Sequence, residues 1–329
     1  MRIAVFDAKA YDEAALRVAG ERYGIDYRFY EEKLRPETAS LAADCDGVSV
    51  FVNDNLNRSV IEMLYLMGIR LIALRCTGFN HVDLVAAEGK ITVVRVPSYS
   101  PSAVAEHAFA LLLALCRKIH RAYLRTKEFN FSLNGLLGIG LYGKTAGIIG
   151  AGQIGKRFAS IAEGFGMQVL AYDPVPREKS LRYVSMDEVF SSCDVLSLHC
   201  PLTTETRHLV NRDRLAQMKR GAILVNTSRG GLVESEALLD AIRSGWLGGA
   251  CLDVYEEESD LFYEDLSDKP VRDALLTTLI SMPNVIVTSH QAFLTGEALS
   301  AIAEITSQNI VSFLRDGVCE NEVRMSRKT

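Results

Sequence analysis

The stretch Thr145-Ala-Gly-Ile-Ile-Gly-Ala-Gly-Gln-Ile-Gly155 decides the fold. Thr145–Ile149 reads as a strand. Gly150-Ala-Gly152-Gln-Ile-Gly155 is a G-x-G-x-x-G pattern. Gln153–Phe165 continues as a helix with Phe158, Ile161, Ala162 and Phe165 on one face. In a chain with 24 glycines the pattern alone is weak; between a strand and a helix it becomes a phosphate cradle. Glycine allows the tight turn, the close approach of pyrophosphate and the packing of helix on strand, and the helix N-terminus offers unpaired N–H groups to the anion. Asp173 ends the next strand, Gln168–Asp173, where a carboxylate accepts from the ribose hydroxyls of NAD and repels a 2′-phosphate. The competing reading is a glycine turn in an ordinary β-α unit with Asp173 as a helix cap. Arg177 nearby keeps NADP in view.

Outward from this point the chain alternates short β-branched runs with helical stretches. After the cradle come Val195–His199, Ile223–Asn226, Ala250–Asp253 and Val285–Ser289, which with Ala146–Gly150 and Val169–Asp173 make six strands, the number in a full dinucleotide-binding sheet. Before it come Ile3–Phe6, Asp26–Tyr30, Val48–Phe51, Leu71–Arg75 and Thr92–Val96, several of them continuously apolar, as strands covered on both faces are. A helix over Asp12–Gly24 would stop at its glycine. Pro97 and Pro101 resist both helix interior and central strand, and mark a domain crossing. Ser100-Pro101 also opens a helix, expected to run to about Arg121. Glu297–Leu314 is a further helix. The predicted fold is α/β: two doubly wound parallel-sheet domains.

The 329 residues suit two domains of ordinary size. The 36 basic and 41 acidic side chains leave a formal charge of −5, and no basic patch suggests a nucleic-acid partner. The longest apolar run, Ala108–Cys116, is too short to span a bilayer, so no membrane partner is expected. Seven scattered cysteines without a C-x-x-C pair argue against a disulfide framework or a metal site. No signal peptide is visible, and a cytoplasmic location is expected.

Three residues fall at strand ends of the second sheet, where open parallel sheets bind ligands. Arg229 follows Ile223-Leu-Val-Asn-Thr-Ser; Glu258 follows Leu252-Asp-Val-Tyr-Glu-Glu; His290 follows Val285-Ile-Val-Thr-Ser. A 2-keto acid accepting hydride needs a guanidinium for its carboxylate. It needs a proton donor for its carbonyl oxygen, which suits histidine, and a carboxylate to orient that histidine and hold it protonated. Each residue alone has a bland reading: a surface ion pair, a solvated acidic loop, a satisfied strand-end histidine. Three glutamates in a row, Glu256, Glu257 and Glu258, leave the histidine's partner open between Glu256 and Glu258.

Gly150–Gly155, Val225-Asn-Thr-Ser-Arg-Gly230, Leu252-Asp-Val-Tyr-Glu and Ser289-His-Gln-Ala-Phe, taken in succession, resemble the D-2-hydroxyacid dehydrogenase family. The resemblance extends through Ile72-Ala-Leu-Arg-Cys-Thr-Gly-Phe-Asn80, Val94–His107 and Leu198-His-Cys-Pro-Leu-Thr203, and covers nearly the whole chain. The His290-Gln-Ala-Phe-Leu-Thr stretch and Asp260-Leu-Phe-Tyr-Glu-Asp are most similar to the bacterial D-lactate branch. The resemblance implies a Rossmann cofactor domain over 99–294 and a flavodoxin-like substrate domain over 1–98 plus 295–329, with an interdomain cleft. It implies Arg229 on the substrate, His290 as acid/base and Glu258 as its partner. Backbone N–H groups of Thr77-Gly78, and Tyr99, would touch substrate. NAD would meet Gly150, Gly152, Gln153, Ile154, Gly155, Asp173, Cys200, Pro201, Thr206, Thr227, Ser228 and Asp253. Phe293 stands where some members have tyrosine. The helix from Pro101 and the segment after it resemble the family's dimer-forming arm, implying a homodimer or homotetramer. The implied reaction is the reversible reduction of pyruvate by NADH. Glyoxylate, hydroxypyruvate or a branched-chain 2-keto acid are alternative substrates, and a non-catalytic NADH-sensing protein is the distant alternative. No metal is expected.

Overall fold

The computed structural model describes residues 1–258 and 261–324; Ser259, Asp260 and 325–329 lie outside the described residues, and with them the first position of the Asp260-Leu-Phe-Tyr-Glu-Asp stretch. The chain forms two compact units, Met1–Ser100 with Leu294–Thr329, and Pro101–Phe293.

In the first unit, β1 (Arg2–Val5), α1 (Ala10–Tyr23), β2 (Asp26–Phe29), β3 (Gly47–Val50), α2 (Arg58–Leu66), β4 (Leu71–Leu74), α3 (Leu84–Ala87) and β5 (Thr92–Arg95) alternate. The strands form one parallel sheet in the order β2-β1-β3-β4-β5, the flavodoxin-like order. Strands β3 and β4 are buried along their whole length, which explains the unbroken apolar sequence of β4; in β3 the small Ser49 is buried with its apolar neighbours. Helix α1 ends at Gly24, whose φ of +67° lets its N–H reach back to Gly20 O.

The second unit contains α4 (Pro101–Cys116), α5 (Ile119–Lys127), β6 (Thr145–Ile149), α6 (Gln153–Gly164), β7 (Gln168–Tyr172), α7 (Met186–Ser192), β8 (Val195–Leu198), α8 (Arg212–Gln217), β9 (Ile223–Asn226), α9 (Ser235–Arg243), β10 (Gly249–Leu252), α10 (Ala274–Ser281) and β11 (Val285–Val287). Its six parallel strands run β11-β10-β9-β8-β6-β7, and an isolated parallel bridge, Ala171–Tyr183, extends the β7 edge. The order reverses between β6 and β8, the switch point at which such sheets bind ligands. The expected six strands and the doubly wound class are thus present.

One expectation fails. The helix opened by Pro101 does not reach Arg121; it stops at Cys116, and a separate α5 begins at Ile119. Lys118 takes a left-handed φ of +57°, and the Cys116 carbonyl accepts from Ile139 N–H instead of continuing the helical ladder. His120 Nδ1 lies 3.2 Å from Ala114 O, satisfying another terminal carbonyl.

After β11 the chain returns to the first unit as α11 (Gly296–Asp316), capped by Thr295, whose hydroxyl accepts from Ala298 N–H. It packs on α1 and also touches β4 and β5. Among the described residues no helix is long and apolar enough to cross a membrane.

Candidate active site

The phosphate cradle is built as its sequence requires. Gly150 has φ +92°, and a methyl group there would lie 2.6 Å from the backbone of His199 and Cys200. One on Gly155 would lie 2.1 Å from Gly150 O. Gly152 caps α6 without a side-chain bond, no acidic residue occupies the first turn, and the space beside it is open. The α6 N-terminus therefore remains ready for an anion. Asp173 is tied to this loop: Oδ2 accepts from Ala151 N–H and Oδ1 from Val175 N–H, both at 2.9 Å. No helix begins at Asp173, so it is not a helix cap.

Across the switch point, Ser228 Oγ donates to Cys200 O at 2.7 Å, joining the loops after β8 and β9. Thr206 Oγ donates to Pro201 O at 2.7 Å and accepts from Thr203 N–H. Thr227 is buried and its hydroxyl has no hydrogen-bond partner. A buried hydroxyl without a partner is costly unless a ligand completes it. The uncapped helix, the open space at Gly152 and this orphaned hydroxyl fit a dinucleotide. Gln153 and Ile154 open α6 itself. The His199 ring is already engaged by the protein: it packs against Phe158, its Nε2 lies 2.9 Å from Ser197 Oγ, and desolvation pushes its pKa down to about 3.

Arg229 follows β9 in extended backbone, and its guanidinium donates to Ser228 O at 2.7 Å. Among the described residues it has no carboxylate partner, so its charge is not spent in an ion pair. His290 follows β11, with Nδ1 2.8 Å from Glu258 Oε1. Both side chains are largely covered, at 17% and 20% exposure. Glu258 Oε2 accepts from Tyr255 N–H at 2.7 Å, so the carboxylate is aimed as well as paired. Glu256 faces elsewhere: its Oε1 meets His208 Nε2 at 2.5 Å and Arg207 at 3.2 Å, and its Oε2 accepts from Ser235. Burial pushes the Glu256 carboxyl up, but hydrogen bonds from His208 and Ser235 outweigh it and hold it below the usual range. Backbone direction sets the choice between the two glutamates, which sequence left open.

His290 has φ +54°, a left-handed conformation that histidine adopts at a cost. Asp253 clasps the turn. His290 N–H donates to Asp253 O at 2.7 Å, and the Gln291 and Ala292 N–H groups donate to its carboxylate at 2.9 and 2.8 Å. Thr288 Oγ donates at 2.5 Å, and His107 Nε2 lies 3.3 Å away. Asp253 is fully buried, and both its oxygens are engaged by protein donors. Burial raises its pKa, but the bonds from His107, Thr288, Gln291 and Ala292 outweigh it and hold the carboxyl below its ordinary value.

Thr77, Gly78 and Tyr99 belong to the first unit. The Thr77 carbonyl accepts from Arg95 Nη1 at 2.9 Å, and Cys76 Sγ lies 3.2 Å from Gly78 O. Arg75, fully buried, donates to the Phe6 carbonyl and holds the start of this loop against the end of β1. Tyr99 is half-buried two residues before α4.

Sequence reading missed His107 and the Glu256–His208 pair. His107 had a legible signal: its neighbours at helical spacing on α4, Ala103, Val104 and Leu111, are all buried, placing it on the inward face. The partner of His208 sits 48 residues away and had none. Among the described residues no group of three metal-ligating side chains forms.

The whole chain resembles known proteins. It is 48% identical over 328 residues to a 2-hydroxyacid dehydrogenase homolog of Haemophilus influenzae, covering 98% of this chain and 99% of that protein. It is 47% identical to the D-lactate dehydrogenase of Escherichia coli, covering 98% and 100%. The solved pyruvate reductase of Chlamydomonas reinhardtii superposes with a TM-score of 0.90 at 43% identity, over 95% of this chain and 96% of that one. Residues 109–292 match the NAD-binding domain of the D-isomer specific 2-hydroxyacid dehydrogenases. The glycine cradle and the strand-end trio lie within that span, and the chain belongs to the D-isomer specific 2-hydroxyacid dehydrogenase family.

Proposed function

We propose that the chain catalyses the reversible reduction of pyruvate to D-lactate with NADH. The observation that carries the reading is the Glu258–His290 pair, aimed by Tyr255 N–H on one side and by the Asp253 turn on the other. Similarity to the D-lactate dehydrogenase and the pyruvate reductase supports the choice of substrate and handedness.

The cofactor, when bound, supplies the hydride to the keto carbon. Gly150, Gly152 and Gly155 shape its phosphate cradle, Asp173 meets its ribose, and Thr227 gives it a hydroxyl. Gln153, Ile154, Cys200, Pro201, Thr206 and Ser228 line its place. Arg229 binds the substrate carboxylate and polarises the carbonyl, with the N–H groups of Thr77 and Gly78 and with Tyr99 adding contacts. Because Nδ1 of His290 faces Glu258, Nδ1 carries a proton and Nε2 is the exchangeable site. Nε2–H gives its proton to the carbonyl oxygen as charge develops there, and Glu258 holds the imidazolium that donates it. Oxidation runs the same proton backwards.

The protein works as a homodimer or homotetramer. Support comes from Phe129, Phe131, Leu133, Leu137 and Tyr142, each 71–92% exposed on the segment after α5. Seven free cysteines suit a reducing compartment, the cytoplasm, where the reaction would regenerate NAD in fermentation.

The test follows NADH oxidation against a panel of 2-keto acids, with NADPH as control and chiral analysis of the product. Rapid pyruvate-dependent oxidation giving D-lactate is expected. A bulkier or shorter preferred acid would overturn the substrate, and tight NADH binding without turnover would overturn the enzyme.

A further inference from the structure

The backbone of His290 does not hold itself: at φ +54° a non-glycine residue sits above its relaxed state. The carboxylate of Asp253 supplies the restraint, because it binds the N–H groups of Gln291 and Ala292 while its carbonyl binds that of His290. A fully buried carboxylate is itself costly unless it is paired. No lysine or arginine pairs with it among the described residues; its one ionisable partner there is His107, with Nε2 3.3 Å from Oδ1 and 3.2 Å from Thr288 Oγ. Thr288 spends its own hydroxyl proton on the same oxygen.

From this arrangement we infer that His107 is a positioning residue: through Asp253 and Thr288 it fixes the turn that presents His290. The inference rests on the reading of His290 as proton donor. Nε2 of His107 carries the hydrogen and donates to the carboxylate, which keeps Asp253 ionised and all its oxygen lone pairs available to Thr288, Gln291 and Ala292. Without that donor the buried carboxyl takes up a proton or draws in water. It then loses an acceptor site, and the His290 ring turns away from the direction that Glu258 and the turn together impose. Misplacing a reacting group by about 1 Å costs up to about 10²-fold in rate. Helix α4 anchors the device, since Ala103, Val104, Ala108 and Leu111 around His107 are buried.

The experiment pairs two polar variants of the full chain. His107→Asn ends near the position of Nδ1 and falls short of Asp253, whereas the amide nitrogen of His107→Gln reaches the position of Nε2. The expected result is an H107N kcat for keto-acid reduction lowered about 10-fold or more, with both KM values within about threefold, and an H107Q kcat within about threefold of the parent. A second readout needs no turnover: the ring ¹H–¹⁵N resonances of His290 at fixed pH should move in H107N and stay in place in H107Q. Unchanged kcat and resonances in H107N, or equal losses in both variants, would overturn the inference. A parent enzyme inactive on every keto acid would instead defeat the proposed function, and the resonances would still decide whether His107 positions His290.

Discussion

Two buried aspartates, one after β3 and one after β10, have opposite electrostatic fates. Asp54 is 2% exposed; its two oxygens accept from the N–H groups of Leu34 and Phe51, both at 2.6 Å. Burial wins there, and its pKa is pushed up to about 7. Asp253 is buried as deeply and also accepts two backbone N–H bonds, yet it is held below its ordinary value. The difference is the hydroxyl of Thr288 and the imidazole of His107. Equal burial does not set the charge state; the number and kind of donors does. The first unit thus ties residue 34 to the turn after β3 with an aspartate that keeps its proton up to about pH 7. The second keeps a charged one beside His290.

Replacement tests this contrast most severely. Asp253→Asn turns one acceptor into an NH₂ group facing a donor, and should lower kcat about 100-fold. Asp54→Asn should leave kcat within about threefold and cost stability instead, seen as a lower urea midpoint. Similar kinetic losses in both variants would erase the distinction. Next in size is the choice between neighbouring glutamates. Glu258→Gln should lower kcat about 10–100-fold, because the imidazolium loses its counter-charge. Glu256→Gln should leave kcat within about threefold and weaken NADH binding a few-fold by loosening the loop that carries Arg207 and His208. The reverse pattern would move the pairing to Glu256.

The motif segments of the second unit were legible because their chemistry is local. The glycines, Asp173 and the strand-end positions of Arg229 and His290 follow from spacing and from strands that pair as their apolar runs suggest. The residues alone left the choice between Glu256 and Glu258 open and only the resemblance pointed to Glu258, because the choice depends on a turn in which Tyr255 N–H donates to Glu258 Oε2. Nor was the break at Lys118, because the residue that takes the Cys116 carbonyl, Ile139, is far along the chain. His107 lay between the two cases: its inward face was readable from α4, its partner was not.

A smaller effect is expected in the first unit. Arg95 holds the Thr77 carbonyl and lies over the ring of Phe79. Arg95→Ala should raise KM for the keto acid about 5–10-fold and leave the NADH dissociation constant unchanged. A shift in NADH binding of equal size would mean that the loop does not act on substrate alone.

The pH dependence of stability gives the finest contrast. The unfolded chain loses the Asp54 proton as pH rises above about 3.8, while the folded chain keeps it up to about 7. The first unit therefore loses about 1.4 kcal/mol per pH unit as pH rises through that window. His199 has the opposite sign: below about 6.5 the unfolded chain takes up a proton that the folded chain refuses down to about 3, so the second unit loses stability as pH falls. Thermal midpoints against pH should show a shallower acid loss in His199→Phe than in the parent; identical slopes would contradict the neutral buried ring.

The central claim, that His290 delivers the proton, is tested most directly by single-turnover oxidation of enzyme-bound NADH on mixing with pyruvate, comparing the parent with His290→Gln. A loss of about 10²–10⁴-fold in the rate of that single turnover, with NADH binding intact, is the predicted result. An unchanged rate would contradict the account.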